Sequence, residues 1–340
     1  MRALVLEEVG GPLHLRSVPV PEPGPGEVLL RVRACAVDHL DVALRAGRRR
    51  MPPMPLILGH EIAGEVAALG SELEPWSVGD RVASTLYLTC GRCRQCLRGR
   101  ETICERFRGY IGGEAPGGYA EYMLVPAENL VALPPSISFP QGSILANALG
   151  TPYHALVRRM RLGPGERVVV TGAGGGVGIH AVQIARMMGA RVMAVDISPA
   201  KLEAAEANGA EVMVDPSSAS LREAILEWTE GLGAEGVLEL VGPATMADTL
   251  TALGRGGRMV VVGSQTGREL TIDPMELFRN EWELLGSRNC TKLELREVTD
   301  LVATGRLRPV VSEVHPLEEA ERLHERQRAH EIIGRAVLEP

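Results

Sequence analysis

The sequence has few aromatic residues, few lysines and no long apolar run. Aromatic side chains make up only 3% of the 340 residues, so Val, Leu, Ala and Ile must fill the core. Only Lys201 and Lys292 are lysines, and arginine therefore supplies nearly all of the positive charge. No stretch of about 18 apolar residues is present, which argues against a membrane-spanning helix.

The sequence also has no excess of basic residues. Its formal net charge is -7 and its pI is about 5.7, whereas a nucleic-acid-binding protein usually carries a basic stripe. The longest basic cluster is Arg48, Arg49 and Arg50. Three arginines are too few for a nucleic-acid footprint. We interpret the cluster as either a solvated loop or an anion clamp beside a substrate.

The length of the chain predicts two domains, and its N-terminus predicts a cytoplasmic location. A chain of 340 residues is long for one hydrophobic core and favours two domains. The first residues, MRALVLEEVGG, contain acids where a signal peptide needs a basic start followed by an apolar stretch. We therefore expect a cytoplasmic location.

Four of the six cysteines lie in one short segment. Cys90, Cys93, Cys96 and Cys104 have the spacing C-x2-C-x2-C-x7-C, and few apolar residues surround them. Four thiolates can form a closed tetrahedral shell around Zn²⁺. Two disulfides or an iron–sulfur cluster are the alternatives. We predict a structural zinc that holds this lobe and takes no part in chemistry. The two remaining cysteines, at 35 and 290, are expected to be small buried residues.

A dinucleotide-binding pattern begins near residue 165. The β-branched run RVVVT (167–171) predicts a buried parallel strand, and a glycine cluster at 172–178 follows it. A helical segment and a second strand, RVMAVD, then end at Asp196. The amino end of such a helix binds a pyrophosphate, and the glycines allow close approach of the backbone. The predicted cofactor-binding residues here are Gly174, Gly175, Gly176, Val177 and Gly178.

The acid that ends the second strand indicates which cofactor binds. A carboxylate there accepts hydrogen bonds from a ribose hydroxyl and repels a 2′-phosphate. Asp196 therefore favours NAD(H) over NADP(H), and Lys201 is a further cofactor-binding candidate. The alternative role of Asp196 is to cap the helix that begins near Pro199.

The two parts of the chain differ in their patterns. Strands and helices alternate over residues 148–288, which predicts an α/β Rossmann domain with a doubly wound parallel sheet. Residues 1–147 contain short strands broken by Pro/Gly turns, as in a β-rich, barrel-like domain that includes a zinc lobe at 88–106. Residues 289–340 resume a mixed pattern and are expected to return to the first domain.

Together, these motifs resemble the medium-chain dehydrogenase/reductase superfamily, which includes zinc alcohol dehydrogenases and quinone reductases. The resemblance covers essentially the whole chain and rests on GHEIAGEV (59–66), VGDRV (78–82), the four-cysteine lobe, VTGAGGGVG (170–178) and the closing GRAVLEP. It implies a GroES-like catalytic domain, a Rossmann domain, a cleft between them, and homodimers or homotetramers with a small-molecule substrate.

The resemblance also implies a catalytic zinc, but this chain departs from the usual ligands. The histidine of the family's Gly-His-Glu motif is His60, followed by Glu61. The two cysteine positions are occupied by Asp38 and Asn147. One interpretation is that Asp38 and His60 still hold zinc, with Glu61, water or the weak ligand Asn147 completing the shell. The other is a vestigial site that binds no metal.

The family's proton relay is also missing. Its hydroxyl and histidine positions are Leu40 and Ala43, neither of which carries a proton. His39 is a neighbouring candidate for proton release, or simply a histidine that faces the cleft or solvent. This stretch also resembles the quinone-reductase branch of the superfamily, in which catalytic zinc is absent.

The resemblance further assigns cofactor contacts. It places Thr151 near the nicotinamide, Val177 beneath its ring, and Val262 and Gly263 at the carboxamide. It assigns Arg335 to the pyrophosphate, the alternative being a surface arginine.

Three functions follow from these observations. The first is a zinc-containing, NAD(H)-dependent oxidoreductase of the alcohol dehydrogenase type, acting on a small alcohol, polyol or carbonyl compound. The second is an NADH-dependent enoyl (acyl-CoA) or quinone reductase without catalytic zinc. The third is a protein that binds NADH without turnover.

Overall fold

The structure is a computed structural model that describes residues 1–48, 54–71 and 75–340. It contains two compact units. The first, which we call the β-rich unit, comprises Met1–Gly150, Cys290–Gly305 and Pro309–Pro340. The second, the parallel-sheet unit, comprises Thr151–Asn289 and Arg306–Arg308. No helix among the described residues is long and apolar enough to cross a membrane.

Strands and helices are numbered along the chain. The strands of the β-rich unit are β1 (Arg2–Leu6), β2 (Leu13–Ser17), β3 (Glu27–Ala36), β4 (Leu56–Ile57), β5 (Glu61–Leu69), β6 (Arg81–Ser84), β7 (Tyr122–Pro126), β8 (Leu130–Ala132), β15 (Val311–Pro316) and β16 (Arg335–Glu339). Its helices are α1 (His39–Arg45), α2 (Phe139–Ser143), α9 (Lys292–Ala303) and α10 (Ala320–Arg328).

Long antiparallel strands form the centre of the β-rich unit. The larger sheet has the order β15-β16-β3-β5-β6-β8, with β7 also paired to β3, and a smaller sheet has the order β2-β1-β4. Apolar side chains of β3 and β5, among them Leu30, Val32 and Ile62, are buried in its core. The last strand, β16, pairs antiparallel with β3, so the end of the chain returns to this unit.

The parallel-sheet unit alternates strands and helices. Its strands are β9 (Arg167–Thr171), β10 (Arg191–Val195), β11 (Val212–Val214), β12 (Ala234–Glu239), β13 (Leu253–Val261) and β14 (Glu283–Gly286). Its helices are α3 (Gly150–Tyr153, at the boundary), α4 (Gly176–Met187), α5 (Pro199–Ala207), α6 (Leu221–Trp228), α7 (Pro243–Thr251) and α8 (Pro274–Asn280).

All neighbouring strands of this second sheet are parallel. The strand order is β11-β10-β9-β12-β13-β14, the doubly wound arrangement of Rossmann domains. The apolar run of β9 is buried, as expected for a strand covered on both faces. The chain reverses its direction of winding between β9 and β12, and ligands bind at the carboxyl ends of strands beside such a point. The predicted fold class, a GroES-like β-rich domain with a Rossmann domain, is confirmed.

Candidate active site and metal sites

The four-cysteine lobe brings its thiols together. Cys93 Sγ lies 3.5 Å from Cys96 Sγ and 3.8 Å from Cys104 Sγ, and Cys104 Sγ lies 3.5 Å from Cys90 Sγ. The backbone amides of Cys90 and Arg106 each lie 3.4 Å from Cys104 Sγ and donate to it. Hydrogen bonds from the chain, chiefly at the Cys96 amide, lower the pKa of the Cys93 thiol to about 6. Burial and the neighbouring thiols instead raise the pKa of Cys96 to about 12, so Cys93 is the thiol that most readily forms a thiolate.

These distances fit a single zinc ion. Zinc–sulfur bonds of about 2.3 Å in a tetrahedron place the sulfurs about 3.8 Å apart. None of the six cysteines is in a disulfide, so the disulfide alternative is wrong. The space between the sulfurs holds one ion, which is too little for a multi-iron cluster. Cys35 and Cys290 are buried, as expected.

A second cluster lies in the β-rich unit, at the start of α1 and β5. Ligand atoms of Asp38, His60 and Glu61 all lie within 4.8 Å of one another, and all three side chains are buried. Asp38 is the N-cap of α1 and accepts a hydrogen bond from the Leu40 amide. His60 Nε2 lies 3.7 Å from Asp38 Oδ1. The structure therefore brings together three of the four residues that were predicted as catalytic metal ligands, and the fourth, Asn147, lies beside them.

Two further side chains hold the carboxylates of this cluster. Arg335, which is 2% exposed, donates from Nη2 to Asp38 Oδ2 at 2.6 Å and to Glu61 Oε1 at 2.8 Å. Asn147 donates from Nδ2 to Glu61 Oε1 at 2.7 Å, and this nitrogen lies 3.3 Å from His60 Nε2. Arg335 is therefore not a surface arginine. The ion pairs of Arg335 with Asp38 and Glu61 were not predicted from the sequence. The contact of Arg335 with the cofactor pyrophosphate stays a prediction.

The charges in this cluster do not balance unless it takes up protons or another cation. Three buried carboxylates (Asp38, Asp41 and Glu61) face one guanidinium, which leaves two negative charges when His60 is neutral. Uncompensated buried charge is costly. Burial opposes a proton on His60, but the neighbouring carboxylates, chiefly Asp41, outweigh it and raise its pKa to about 9. A divalent cation would neutralise the cluster fully, so the residues present fit a metal ion.

Asp41 is a site residue that sequence reasoning missed. It is completely buried, and its Oδ1 lies 3.0 Å from His60 Nδ1 and accepts from the Gly59 amide at 3.2 Å. A carboxylate on one ring nitrogen leaves the other nitrogen free to bind a metal or substrate. The available signal was an acid three residues after Asp38, because Asp38 and Asp41 form a capping box at the start of α1.

The structure shows why glycine precedes His60. Gly59 has φ +96, a conformation that other residues rarely adopt. A Cβ at this position would lie 2.5 Å from the Tyr119 ring and 2.7 Å from Cys35 Sγ. Tyr119 therefore packs directly on the backbone that carries His60.

The two residues at the positions of the family's proton relay lie in apolar or half-buried surroundings. Leu40 packs against the hydrophobic core of the β-rich unit, and Ala43 is half-buried on α1. His39 is half-buried beside Asp38, and its ring lies 5.0 Å from that of the exposed His330, measured between centroids. Arg48 is exposed, whereas Arg49 and Arg50 lie outside the described residues, so the anion-clamp hypothesis stays a prediction.

The glycine turn of the parallel-sheet unit has the geometry of a phosphate-binding loop. Gly175 is the N-cap of α4, so Gly176, Val177 and Gly178 form its first turn with free amides. A Cβ at Gly178 would lie 2.1 Å from the Gly172 carbonyl oxygen, and one at Gly174 would lie 2.3 Å from the Lys201 Cβ. Glycine is required at both places.

Asp196 follows β10 and faces this turn. Its carboxylate accepts from the Gly174 amide at 3.1 Å and from the Ser198 amide at 3.3 Å. Ser198, not Asp196, is the N-cap of α5. Lys201, in the first turn of α5, is 7% exposed, and burial lowers its pKa although Asp196 opposes the shift. Asp196 and Lys201 thus lie side by side at the glycine turn.

The remaining predicted cofactor residues lie in the same unit. Thr151 is buried, with its Oγ1 3.4 Å from Asn289 Nδ2. Val262 and Gly263 follow the carboxyl end of β13 and are half-buried. The Val262 amide donates to the carbonyl of Glu239 at 3.0 Å.

Glu239 was not predicted from the sequence. Its buried carboxylate ends β12 and accepts hydrogen bonds from Thr171 Oγ1 at 2.9 Å, Thr245 Oγ1 at 2.9 Å, and the Val241 and Gly242 amides at 2.8 and 2.9 Å. It therefore holds the loops after β9 and β12 together. A glutamate inside an apolar strand run was the only signal.

Comparisons with known proteins agree with this geometry. Residues 24–135 match the alcohol dehydrogenase GroES-like domain, and residues 176–304 match the zinc-binding dehydrogenase family. Among solved structures, AibC superposes with a TM-score of 0.94 at 39% identity, covering 100% of this chain and 96% of that one. A cobalt- and zinc-bound thermostable alcohol dehydrogenase from Pyrobaculum aerophilum superposes with a TM-score of 0.91 at 34% identity, covering 100% and 99%.

Relatives match over nearly their whole length. An alcohol dehydrogenase from Geobacillus stearothermophilus is 36% identical, with 99% of each chain covered. An NAD-dependent alcohol dehydrogenase from Sulfurisphaera tokodaii is 34% identical, with 100% of each covered. An acryloyl-coenzyme A reductase from Metallosphaera sedula is 32% identical, with 99% of each covered. The chain is therefore an NAD(H)-dependent oxidoreductase rather than a non-catalytic protein, and it belongs to the zinc-containing medium-chain dehydrogenase/reductase superfamily.

Proposed function

We propose that this enzyme transfers a hydride between NAD(H) and a small alcohol, polyol or carbonyl compound at a metal site formed by Asp38, His60 and Glu61. One observation carries the proposal. The buried cluster has two negative charges in excess when His60 is neutral, and a divalent cation balances them. Relatives named as alcohol dehydrogenases support the substrate class.

Each residue of the cluster has a defined part in this proposal. A metal held here would supply Lewis-acid chemistry at the substrate oxygen. His60 offers Nε2 to the site because Asp41 occupies its Nδ1. Glu61 and Asp38 supply oxygen ligands, and Asn147 orients Glu61 or contributes a weak ligand. His39, half-buried beside the exposed His330, is the candidate for carrying the proton to solvent.

The parallel-sheet unit binds the cofactor in this proposal. The first turn of α4 receives the pyrophosphate, while Asp196 and Lys201 bind the adenosine ribose of NAD(H). Thr151, Val177, Val262 and Gly263 surround the nicotinamide. Arg335 contacts the pyrophosphate in addition to Asp38 and Glu61.

A second candidate function is the reduction of an enoyl thioester or a quinone without catalytic metal. Arg335 and Asn147 already donate hydrogen bonds to Glu61, and Arg335 also pairs with Asp38. Two relatives, from Metallosphaera sedula and Sulfurisphaera tokodaii, are named acryloyl-coenzyme A reductases. In this mechanism the protein would act through positioning and electrostatics alone.

A substrate panel with and without metal separates these candidates. The purified enzyme is assayed with NAD⁺ on alcohols and polyols and with NADH on aldehydes, ketones, acryloyl-CoA and quinones, before and after chelation. We expect alcohol and carbonyl turnover that chelation abolishes and zinc restores. Acryloyl-CoA reduction that survives loss of the second metal, without alcohol turnover, would replace the first proposal with the second.

We also propose that the enzyme is a cytoplasmic homodimer or homotetramer. The location is supported by the six cysteines, none of which is in a disulfide although an oxidising compartment would tend to pair them. The assembly is inferred from the family resemblance. Light scattering on the purified enzyme gives the mass directly, and a mass of one chain would overturn the oligomer.

A further inference from the structure

A buried histidine and a buried tyrosine extend the cluster beyond Asp41. Tyr119 is completely buried, and its hydroxyl lies 3.3 Å from Asp41 Oδ2 and 3.1 Å from His324 Nε2. His324 is 2% exposed and lies on α10. Four side chains are therefore connected in one chain of hydrogen bonds, in the order His324, Tyr119, Asp41 and His60.

The chemistry of the members sets the direction of each bond. A carboxylate only accepts, so the Tyr119 hydroxyl donates to Asp41 and must itself accept from His324. His324 then carries its proton on Nε2. Its Nδ1 is buried, and among the described residues no atom forms a hydrogen bond with it. A neutral imidazole with a proton on Nε2 fits both observations, because Nδ1 then needs no acceptor.

Contacts on both sides hold these hydrogen-bonded side chains in place. Arg45 on α1 pairs with Glu321 on α10, and Glu321 also accepts from the Leu13 amide at 3.1 Å. This ion pair joins the helix that carries Asp41 to the helix that carries His324. On the other side, the Tyr119 ring packs against the Gly59 backbone immediately before His60.

We propose that Tyr119 and His324 are positioning residues that act on His60 through Asp41. The Tyr119 hydroxyl fixes the orientation of the Asp41 carboxylate, and that carboxylate fixes the His60 ring with Nδ1–H directed inward and Nε2 directed at Asp38 and Asn147. His324 holds the Tyr119 hydroxyl in its donating orientation. The inference rests on the proposed role of His60 at the site, but the hydrogen-bond chain can be observed separately from any activity.

The first test is spectroscopic. Imidazole nitrogen–proton correlation spectra of the zinc-loaded enzyme, assigned with His60→Gln and His324→Gln, report the protonated nitrogen of each ring. We expect Nε2–H for His324 and a strongly hydrogen-bonded Nδ1–H for His60. In Tyr119→Phe the His60 Nδ1–H signal should shift, whereas Tyr122→Phe, which removes the hydroxyl of a half-buried strand tyrosine, should leave it unchanged.

The second test is kinetic. Outer hydrogen-bond partners of a metal-binding histidine typically change affinity or activity by about 10- to 100-fold, and a partner one bond further out should act less. We expect kcat to fall about 3- to 10-fold in Tyr119→Phe and His324→Leu at an unchanged KM for the cofactor. His324→Gln keeps an N–H donor and should recover most of this loss.

The outcomes of these tests can be interpreted whether or not the proposed substrate class is correct. A His324 proton on Nδ1, or an unchanged His60 signal in Tyr119→Phe, would overturn the inference whatever substrate the enzyme uses. If His324→Leu does not fold, Tyr119→Phe decides the question, because it removes a single oxygen atom. If only acryloyl-CoA is reduced, the spectra still test the hydrogen-bond chain.

Discussion

At the scale of single residues, Asp38 combines three roles. It caps α1, pairs with Arg335 and lies beside His60. Burial opposes ionisation of Asp38, but Arg335 and then His60 outweigh it, so its pKa lies below the ordinary value. Burial also raises the pKa of Glu61, although Arg335 opposes the shift. Asp38 is therefore the firmer anionic ligand of the two.

Some residues of the cluster could be predicted from the sequence and others could not. Asp38, His60 and Glu61 occupy motif positions, so their proximity followed from the family resemblance. Tyr119 and His324 lie 78 and 283 residues from Asp41, and only the folded chain brings them to it. The same is true of Arg335, which is 274 residues from Glu61.

The Asp196 carboxylate should decide between the two nicotinamide cofactors. Asp196→Ser removes the charge that repels a 2′-phosphate and the acceptor for a ribose hydroxyl. A hydrogen bond to a charged group contributes about 1.5 kcal/mol or more, so we expect kcat/KM for NADH to fall about tenfold and that for NADPH to rise. Asp215→Ser, at a half-buried position that follows β11, is the control and should change neither. Unaltered cofactor preference in Asp196→Ser would refute this role.

At the scale of elements, the metal site of the cysteine lobe was predictable from the sequence, although the hydrogen bonds inside the lobe were not. The spacing of the four cysteines alone indicated one ion, because the segment has too few apolar residues for a core of its own. The hydrogen bonds from the Cys90 and Arg106 amides to Cys104 depend on the local turns and could not be derived from spacing.

Loss of the lobe metal should destabilise the enzyme. Cys104→Ser removes one thiolate, and we expect one zinc fewer per chain and a Tm lower by roughly 5 °C or more, since structural zinc contributes folding energy. Cys290→Ala alters a buried cysteine outside the lobe and should keep both the zinc content and the Tm close to wild type. Equal zinc content in Cys104→Ser and wild type would contradict a metal in the lobe.

Helix α10 should make stability depend on pH through His324. Burial lowers the pKa of His324 to about 4, with Arg45 acting in the same direction and Asp41 and Glu321 opposing it. The unfolded chain, with an ordinary histidine pKa near 6.5, therefore binds more protons, and stability is lost as the pH falls through this window. From pH 7 to pH 4 this loss is on the order of 3 kcal/mol.

Comparison with His324→Gln isolates that titration. The variant lacks the titrating group but retains the carboxylates and thiols that also respond to acid. We expect the free energy of unfolding, measured by urea titration, to fall more steeply between pH 7 and pH 4 in wild type than in the variant. Parallel curves would show that His324 is not held neutral by burial.

At the scale of the whole molecule, the sequence predicted both folds. Buried β-branched runs and the glycine cluster identified the parallel sheet, because few other arrangements place such a turn between a strand and a helix. The predicted domain boundaries fall after residues 147 and 288, and the structure divides after Gly150 and Asn289. Residues Arg306–Arg308 belong to the parallel-sheet unit, which the local hydrophobic periodicity of the sequence did not predict.

The metal content of the whole enzyme shows whether a catalytic metal is bound beside the one in the cysteine lobe. Zinc per chain is counted in enzyme purified without chelators and in the double variant Asp38→Ala, His60→Ala, with Cys290→Ala as the control. We expect two zinc ions in wild type and in the control and one in the double variant. One zinc ion in all three would contradict a catalytic metal and leave only the cysteine lobe occupied, and reduction of an enoyl thioester or a quinone would then be the better account.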